Sequence, residues 1–368
     1  MTTTNPSEGR AEVLPTHTSA LLAEAVQRAA ALLRQGKVVV VPTETVYGLA
    51  ANAWDPVAVR SLFNLKGRPS GNPVIVHVAS GALARECAAE WPESADRLAS
   101  EFWPGPLTVV VPRSGRIPDE VTAGGPTVGI RWPSHPFMQS LIRACGFPLA
   151  APSANLSNHI SPTEAGHALA GIGDRVELIV DGGASNVGIE STVLDLTVDP
   201  PRVLRPGMIS AEAIARVLKF GDFGSESRSG SGSRRGPGAG EGPEACIGSG
   251  SDSGPLRSPG QLPRHYAPRA RLWVGTWRDE ADLLGQLRRD GVDPAKAHVL
   301  AHHVIPEQHA AARICLIPAD PEAYARALYA EWHRCDALGA STIVMEAVPG
   351  TPEWSAIADR VTRASARV

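Results

Sequence analysis

Lys66 and Arg68 flank Gly67 in the run Lys-Gly-Arg-Pro-Ser, and two cations held in a Gly/Pro-fixed turn are suited to a bound polyanion. Just upstream, Thr43, Glu44 and Thr45 follow a run of four valines, and His77 lies in the next apolar run, Pro-Val-Ile-Val-His-Val. Polar side chains gathered on connections at strand ends are where sites are usually built. A helix C-terminus would also place Lys66 and Arg68 against the dipole, with Gly67 as its cap. Dipole compensation does not explain a Thr-Glu-Thr cluster after a strand-like run, so a ligand is the stronger expectation.

Further along, Arg131 closes Thr-Val-Gly-Ile and precedes Trp-Pro. A guanidinium is costly to bury alone, so a partner or ligand is expected. Thr127 stands four residues earlier, and alternation puts both on one face, able to share a cavity. His77 by itself reads as a hydrogen-bonded core histidine. Residues 150–161 carry hydroxyls and amides in a loop ahead of a helix expected near Pro162, with Ser161 placed to cap it. Ser153 lacks Gly-x-Ser-x-Gly around it and is not read as a nucleophile. Gly183 and Gly188 begin the spacing of a phosphate loop, but Ile189 and Glu190 stand where Lys and Ser/Thr belong, which excludes a Walker site. His302 and His303 have no carboxylate or cysteine at ligand spacing and read as exposed loop residues.

In order along the chain come PTETVYGL, KGRPSGNPVIVHV, WPGPLTVVV, TVGIRWPSHP, APSANLSNHISPT, DGG, GIESTVLDL and LRPG, and later SPGQLPRHYAP. From about residue 20 to 219 these segments resemble the YrdC-like threonylcarbamoyl-AMP synthases, and the SPG and HYAP pieces resemble the family's long two-domain form. The resemblance implies a nucleotidyltransferase that converts L-threonine, bicarbonate and ATP into L-threonylcarbamoyladenylate, pyrophosphate and water. The product would serve tRNA N6-threonylcarbamoyladenosine modification beside the anticodon. A carbamate formed on the amine attacks the α-phosphorus, so no protein nucleophile is needed, and positioning with charge stabilisation supplies the rate. Mg²⁺ would arrive on the ATP phosphates rather than in a protein cage.

Carried over position by position, the resemblance makes Lys66 and Arg68 catalytic. With Asn72, Thr127, Ser153, Ser161, Arg205 and Tyr266 they contact ATP. Thr45, His77, Arg131, the main chain of Ala151, and Ser191 hold threonine, with Arg131 able to take the carboxylate bidentately. Residues 258–268, stiffened by Pro259, Pro263 and Pro268, would form a lid that brings Tyr266 over the site. A tRNA threonylcarbamoyl-transferase complex is the candidate recipient of the adenylate, with tRNA engaged only indirectly. Two other readings are weighed: a YrdC-like RNA-binding protein, and a relative acting on another carbamoyl or adenylate substrate.

The elements that must position these residues read as α/β. A length of 368 residues suggests two domains, and a net charge of -3 supplies no overall basic field for nucleic acid. Basic and aromatic residues are not interleaved, which also weighs against RNA binding. Five scattered cysteines without Cys-x-x-Cys point to neither a disulfide framework nor a zinc site, and fit a reduced cytoplasm. No signal-peptide core or membrane-length apolar run is seen, so no membrane is expected.

Residues 1–18 read as a disordered tail, and 19–220 as a YrdC-like catalytic domain with a twisted mixed sheet and helices. Residues 221–268 read as a linker ending in the SPG and HYAP lid segment; 21 of the 40 residues in 221–260 are Gly or Ser, which cannot bury a core. Residues 269–368 read as a smaller Rossmann-like βαβ domain with strands at RLWV, AHVLAH, RICLI and TIVMEA, and helices at 279–289, 321–335 and 352–366. That domain carries no GxGxxG and no catalytic constellation, so a stabilising, docking or partner-binding role is expected.

Overall fold

The computed structural model describes residues 10–69, 71–219, 265–307 and 311–366. Its first half runs β1 (Glu12–Pro15), α1 (Ser19–Arg34), β2 (Val39–Val41), β3 (Gly48–Asn52), α2 (Pro56–Lys66), β4 (Val76–His77), α3 (Gly81–Cys87) and α4 (Glu93–Phe102). It continues through β5 (Leu107–Pro112), α5 (Asp119–Thr122), β6 (Thr127–Arg131), α6 (Pro136–Cys145), β7 (Leu149–Ala150) and α7 (Ala165–Ile172). Then follow β8 (Leu178–Asp181), β9 (Thr192–Asp195), β10 (Arg202–Arg205) and α8 (Ala211–Leu218). The second part holds β11 (Arg271–Gly275), α9 (Glu280–Arg289), β12 (Ala297–Ala301), β13 (Arg313–Leu316), α10 (Pro321–Ala337), β14 (Thr342–Glu346) and α11 (Ser355–Ser365).

Ten strands form one mixed sheet in the order β1-β8-β2-β3-β7-β4-β6-β5-β9-β10. Valines 39, 40 and 41 are wholly buried because helices cover both faces: α1 and α6 on one, α2 and α7 on the other. In α1 the buried residues Ala25, Val26, Ala29, Ala30, Leu32 and Leu33 form one stripe, and Thr18 caps the start by accepting from Leu21 N at 3.2 Å. Asp55 caps α2, Pro56 is its first residue, and Gly67 ends it at φ 60 in the left-handed region that glycine adopts without a Cβ penalty.

The second sheet is parallel, in the order β11-β14-β12-β13, with α9 packed on one face and α10 and α11 on the other. The Rossmann-like βαβ reading of this region therefore holds. Its α10–α11 layer shares one apolar cluster with Val46, Ile160, Ile189 and Tyr266 of the rest of the chain, so the two sheets are joined through a common core.

Three expectations are corrected. Glu12–Pro15 is not part of a disordered tail but an edge strand parallel to β8; four residues with one weak alternation carry little signal until β8 offers its ladder. His302 is not an exposed loop residue: its side chain is 6% exposed, lies 3.4 Å from Glu346 Oε2 and packs against Tyr324 and Trp354. Its carboxylate neighbour is 44 residues away, out of reach of any spacing rule. No helix begins near Pro162; α7 starts at Ala165 behind Glu164, and the Ser161 hydroxyl is engaged elsewhere. Most of the linker, residues 221–264, and the Pro259 and Pro263 anchors of the lid lie outside the described residues.

Candidate active site

Strand ends of the large sheet converge on one cavity. In the parallel β4–β6 pair, His77 and Arg131 are register partners, so both reach the same end of the sheet. Thr43 and Thr45 arrive on the turn after β2, Ala151 and Ser153 after β7, Ser191 just before β9, and Arg205 at the end of β10. Arg68 comes from the turn beyond α2, and His265 and Tyr266 from the segment leading to β11.

The Thr-Glu-Thr turn is built by its own side chains. Thr43 Oγ1 accepts from the N–H groups of Thr45 and Val46 at 3.1 and 3.2 Å and donates to Val46 O at 2.6 Å. The turn then holds Arg131, whose Nε donates to Gly105 O at 3.2 Å and whose Nη1 donates to Thr45 Oγ1 at 2.9 Å. Its Nη2 lies 2.6 Å from Glu44 Oε1, with both side chains buried. Burial pushes the Glu44 carboxyl upward, but the Arg131 charge and its hydrogen bond outweigh that and hold it below the usual carboxylate range. Burial, followed by the Arg131 charge, lowers His77 to about 3, so the imidazole is neutral at physiological pH.

The cationic side is equally preorganised. Arg68 donates from Nε to Asn72 O at 3.1 Å and from Nη2 to Pro73 O at 2.8 Å; burial lowers it to about 10, which leaves it charged near neutrality. Arg205 donates from Nε to Ser191 O at 3.0 Å and from Nη2 to Ser191 Oγ at 3.1 Å, and that hydroxyl lies 2.8 Å from Thr108 Oγ1. The Glu190 carboxylate, 6% exposed, also faces the cavity.

Of the residues singled out in the sequence, Thr45, Arg68, His77, Arg131, Ala151, Ser153, Ser191, Arg205 and Tyr266 share this one wall. Lys66, Asn72 and Ser161 stand a layer behind it. The Lys66 ammonium donates to the carbonyls of Ser153 and Asn155, and burial, then the Arg68 charge, holds its pKa well below the ordinary lysine value. Ser161 Oγ donates to Glu190 Oε1 at 2.6 Å. Thr127 does not join the main cavity and lines a smaller one with Thr122, Val128 and Gly129. Alternation places Thr127 and Arg131 on one face, but four residues of strand separate them by roughly 13 Å. They sit at opposite ends of β6.

Several buried polar atoms at the cavity have no hydrogen-bond partner, among them His77 Nδ1, His265 Nδ1 and the Tyr266 hydroxyl, and Asn72 beside Arg68 leaves both amide atoms unpaired. Buried polar groups are seldom left so, and their clustering marks a face prepared for a ligand. Tyr266 also sits at φ 62, a left-handed conformation unusual for a tyrosine and held here by packing against Tyr329 and Arg360. Sequence reading missed Glu190, noted only as breaking a Walker pattern, although an acid between Ile189 and a strand could have flagged it. It also missed Tyr329 and Arg360, which carry no motif and meet the site only through the domain interface.

Fold and cavity together define a two-domain α/β protein with an arginine-lined pocket that Tyr266, from the segment leading to β11, also lines. The chain belongs to the threonylcarbamoyl-AMP synthase family. Residues 31–207 match the family model described as "Telomere recombination", and residues 209–366 match that described as "Threonylcarbamoyl-AMP synthase, C-terminal domain". The chain is 37% identical to the threonylcarbamoyl-AMP synthase of Pyrococcus abyssi over 92% of its length and 94% of the relative's. It is 33% identical to that of Schizosaccharomyces pombe over 94% of its length and 89% of the relative's. A crystal structure of P. abyssi Sua5 complexed with L-threonine superposes with a TM-score of 0.81 at 35% identity, covering 96% of each chain.

Proposed function

We infer that the chain is an L-threonylcarbamoyl-AMP synthase, joining L-threonine, bicarbonate and ATP to give L-threonylcarbamoyladenylate, pyrophosphate and water. The observation that carries this reading is the convergence of Arg68, Arg131 and Arg205 with Thr45, Ser153 and Ser191 in one cavity that Tyr266 also lines. Threonine would lie on the Thr45, His77, Arg131, Ala151 and Ser191 side. Arg131, already tied to Glu44 and Thr45, offers a fixed charge to the amino acid's carboxylate. Neutral His77 adds no competing cation.

The triphosphate would lie against Arg68 and Arg205, with the nucleotide reaching Ser153 and Tyr266. Lys66 and Asn72 shape that side from behind, Lys66 by fixing the Ser153 loop. The threonine amine captures carbon dioxide or bicarbonate as a carbamate, and a carbamate oxygen attacks the α-phosphorus while pyrophosphate leaves. Arginines placed before substrate arrives stabilise the charge that develops, and exclusion of water protects the carbamate. Mg²⁺ would enter on the phosphate oxygens with its own waters. No described helix is long and apolar enough to cross a membrane. An unstable adenylate suits delivery to a tRNA threonylcarbamoyl-transferase complex.

The test is incubation of the purified chain with labelled bicarbonate, ATP, Mg²⁺ and L-threonine. A labelled threonylcarbamoyl nucleotide is expected, with pyrophosphate released only when threonine and bicarbonate are both present. Pyrophosphate release that ignores threonine, or a better amino-acid substrate, would overturn the reading.

A further inference from the structure

A second cavity, of about 440 Å³, opens where the two domains meet. That is room for a small organic ligand. Its walls come from the loop before α7, from α7 itself, from Ala267 and Arg269, and from the C-terminal end of α10. It stands back to back with the catalytic cavity: Asn155 and Ala267 line the one, while Ser153 and Tyr266 line the other. Ala267 N donates to Asn158 O at 3.0 Å, and His159 and Ala267 form a parallel bridge, so the loop and the segment carrying Tyr266 are joined along this wall.

Some polar groups on these walls are already used. Asn155 Nδ2 donates to Leu156 O and His159 O at 2.9 and 2.7 Å. Asp336 accepts from the N–H groups of Arg269 and Ala270 at 2.9 and 3.0 Å. The imidazoles of His167 on α7 and His333 on α10 are only half used. They stack with centroids 4.0 Å apart and planes 14° from parallel. His167 Nδ1 accepts from Thr163 N at 3.4 Å, which puts the ring proton on Nε2; His333 Nε2 donates to Ser161 O at 3.1 Å, which leaves Nδ1 with its lone pair. Neither remaining nitrogen has a hydrogen-bond partner among the described residues. The stack therefore offers one donor and one acceptor side by side. Arg269, its side chain 71% exposed, adds guanidinium donors beyond the one that meets Asp336 O at 3.1 Å. Ile160, Pro162, Ala170 and Ala337 supply apolar surface.

We propose that this interdomain cavity binds a flat heterocycle bearing an anionic group, of the class of a nucleoside monophosphate. A nucleobase carries donors and acceptors on one edge, matching the two free imidazole nitrogens, and its faces suit the apolar walls. Arg269 meets the phosphate. A cation is poorly served, because the one carboxylate among the described lining residues, Asp336, already holds two N–H groups. The site is separate from the catalytic cavity and does not depend on what that cavity takes. A free nucleotide and a nucleotide within an RNA strand present the same groups. Gly166 and Gly171 give the means of filling the cavity: a Cβ at either meets no atom within 4 Å, and a helix tolerates a larger residue better than glycine.

The experiment saturates the full chain with a non-hydrolysable ATP analogue, Mg²⁺ and L-threonine, and then titrates AMP, adenosine or a short single-stranded oligoribonucleotide. Binding is followed by calorimetry and by histidine NMR, with resonances assigned from His167→Gln and His333→Gln. AMP is expected to bind beyond the saturated site and to shift the His167 and His333 resonances. The double variant Gly166→Leu/Gly171→Leu, first checked by thermal unfolding, is expected to weaken AMP binding about tenfold or more while ATP-analogue binding stays within about twofold. Arg269→Ala is expected to weaken AMP about tenfold and adenosine less than about twofold. Tighter binding of AMP than of the oligoribonucleotide supports the site as one for a free nucleotide, and the reverse supports it as one for a nucleotide of an RNA strand. No binding of either beyond the saturated site, undiminished affinity in the double variant, or shifts that spare His167 and His333 overturn the proposal. Where the double variant does not fold, Arg269→Ala decides: selective loss of AMP supports the site, and no loss rejects it. A chain that fails to take the ATP analogue removes the synthase reading and leaves this test standing, since the His167 and His333 shifts identify the second cavity by themselves.

Discussion

Two buried Glu–Arg pairs each put one member on the wall of the same cavity, Arg131 of one and Glu190 of the other, and they are built in opposite ways. Glu44 and Arg131 both come from the large sheet, the one on the turn after β2 and the other at the end of β6, and Thr45 and Gly105 complete the arginine's coordination locally. Glu190 and Arg360 are 170 residues apart and belong to different domains, with Tyr329 added from the second. The Arg131 side of the pocket is therefore finished within one domain, while the Glu190 side is finished only with the second domain in place. The Gly188 backbone shows how close that docking is: a Cβ there would come within 2.4 Å of Arg326 Cα and 2.5 Å of Ala325 O, and its φ is +84.

The largest effect is expected from breaking the intradomain pair. Arg131→Leu strands Glu44 and removes the fork proposed to hold the substrate carboxylate, so adenylate formation should fall at least about a thousandfold, with stability lowered by about 3–5 kcal/mol. Steady-state pyrophosphate release and denaturant unfolding check both, and a variant retaining a tenth of the activity would show that Arg131 does not hold threonine.

Next comes the interdomain contact. Gly188→Val forces a side chain into the α10 backbone and into an unfavourable φ, so a loss of about 2–4 kcal/mol is expected. Hydrogen exchange should show it as loosened protection in α10 and α11 with α1 and α6 unchanged. Uniform loosening would mean the two regions do not differ in the way described.

A smaller effect should follow from Tyr266→Phe, which removes only the unpaired hydroxyl. Burying an unpartnered hydroxyl is unfavourable, so stability should hold or rise slightly, while KM for ATP rises about tenfold if that hydroxyl meets the nucleotide. An unchanged KM, measured at saturating threonine, would place the ligand elsewhere.

The mildest probe is pH. Burial holds His77, His265 and His333 at about 3, against an ordinary value of 6.5. Between those limits the unfolded chain binds more protons than the folded one, so stability falls as pH drops through about 6.5 towards about 3. Each histidine contributes up to about tenfold in the folding constant per pH unit in that window. Glu44 and Glu190, held below their usual range, add loss in the same direction at the acid end. His333 donates to Ser161 O at 3.1 Å and stacks on His167 across the interface, so His333→Gln should flatten the pH dependence of melting, and an unaltered slope would discount its burial.

Much of the first domain was legible. Runs such as Val-Val-Val-Val and Leu-Thr-Val-Val-Val declare buried strands by composition, Asp55-Pro56 and Gly67 mark both ends of α2, and the second domain's strands fell where alternation and spacing put them. Thr45, Arg68 and Arg131 stood out as polar side chains beside apolar runs, whereas His77, Ser153, Ser191 and Arg205 entered only through the family resemblance; all seven line the cavity. Distance along a strand was not legible as separation, which is why Thr127 was grouped with Arg131.

What this sequence determined alone is local: which stretches are apolar enough to be buried, where caps and turns interrupt them, and which hydroxyls and cations close them, because those depend on neighbours within a few residues. The tertiary structure alone decided that Arg360 and Tyr329 meet Glu190 and that Tyr266 is pressed into the cavity. Compensation of a buried charge is satisfied by any partner that packing brings within hydrogen-bond reach, and no spacing in the chain records which one that will be.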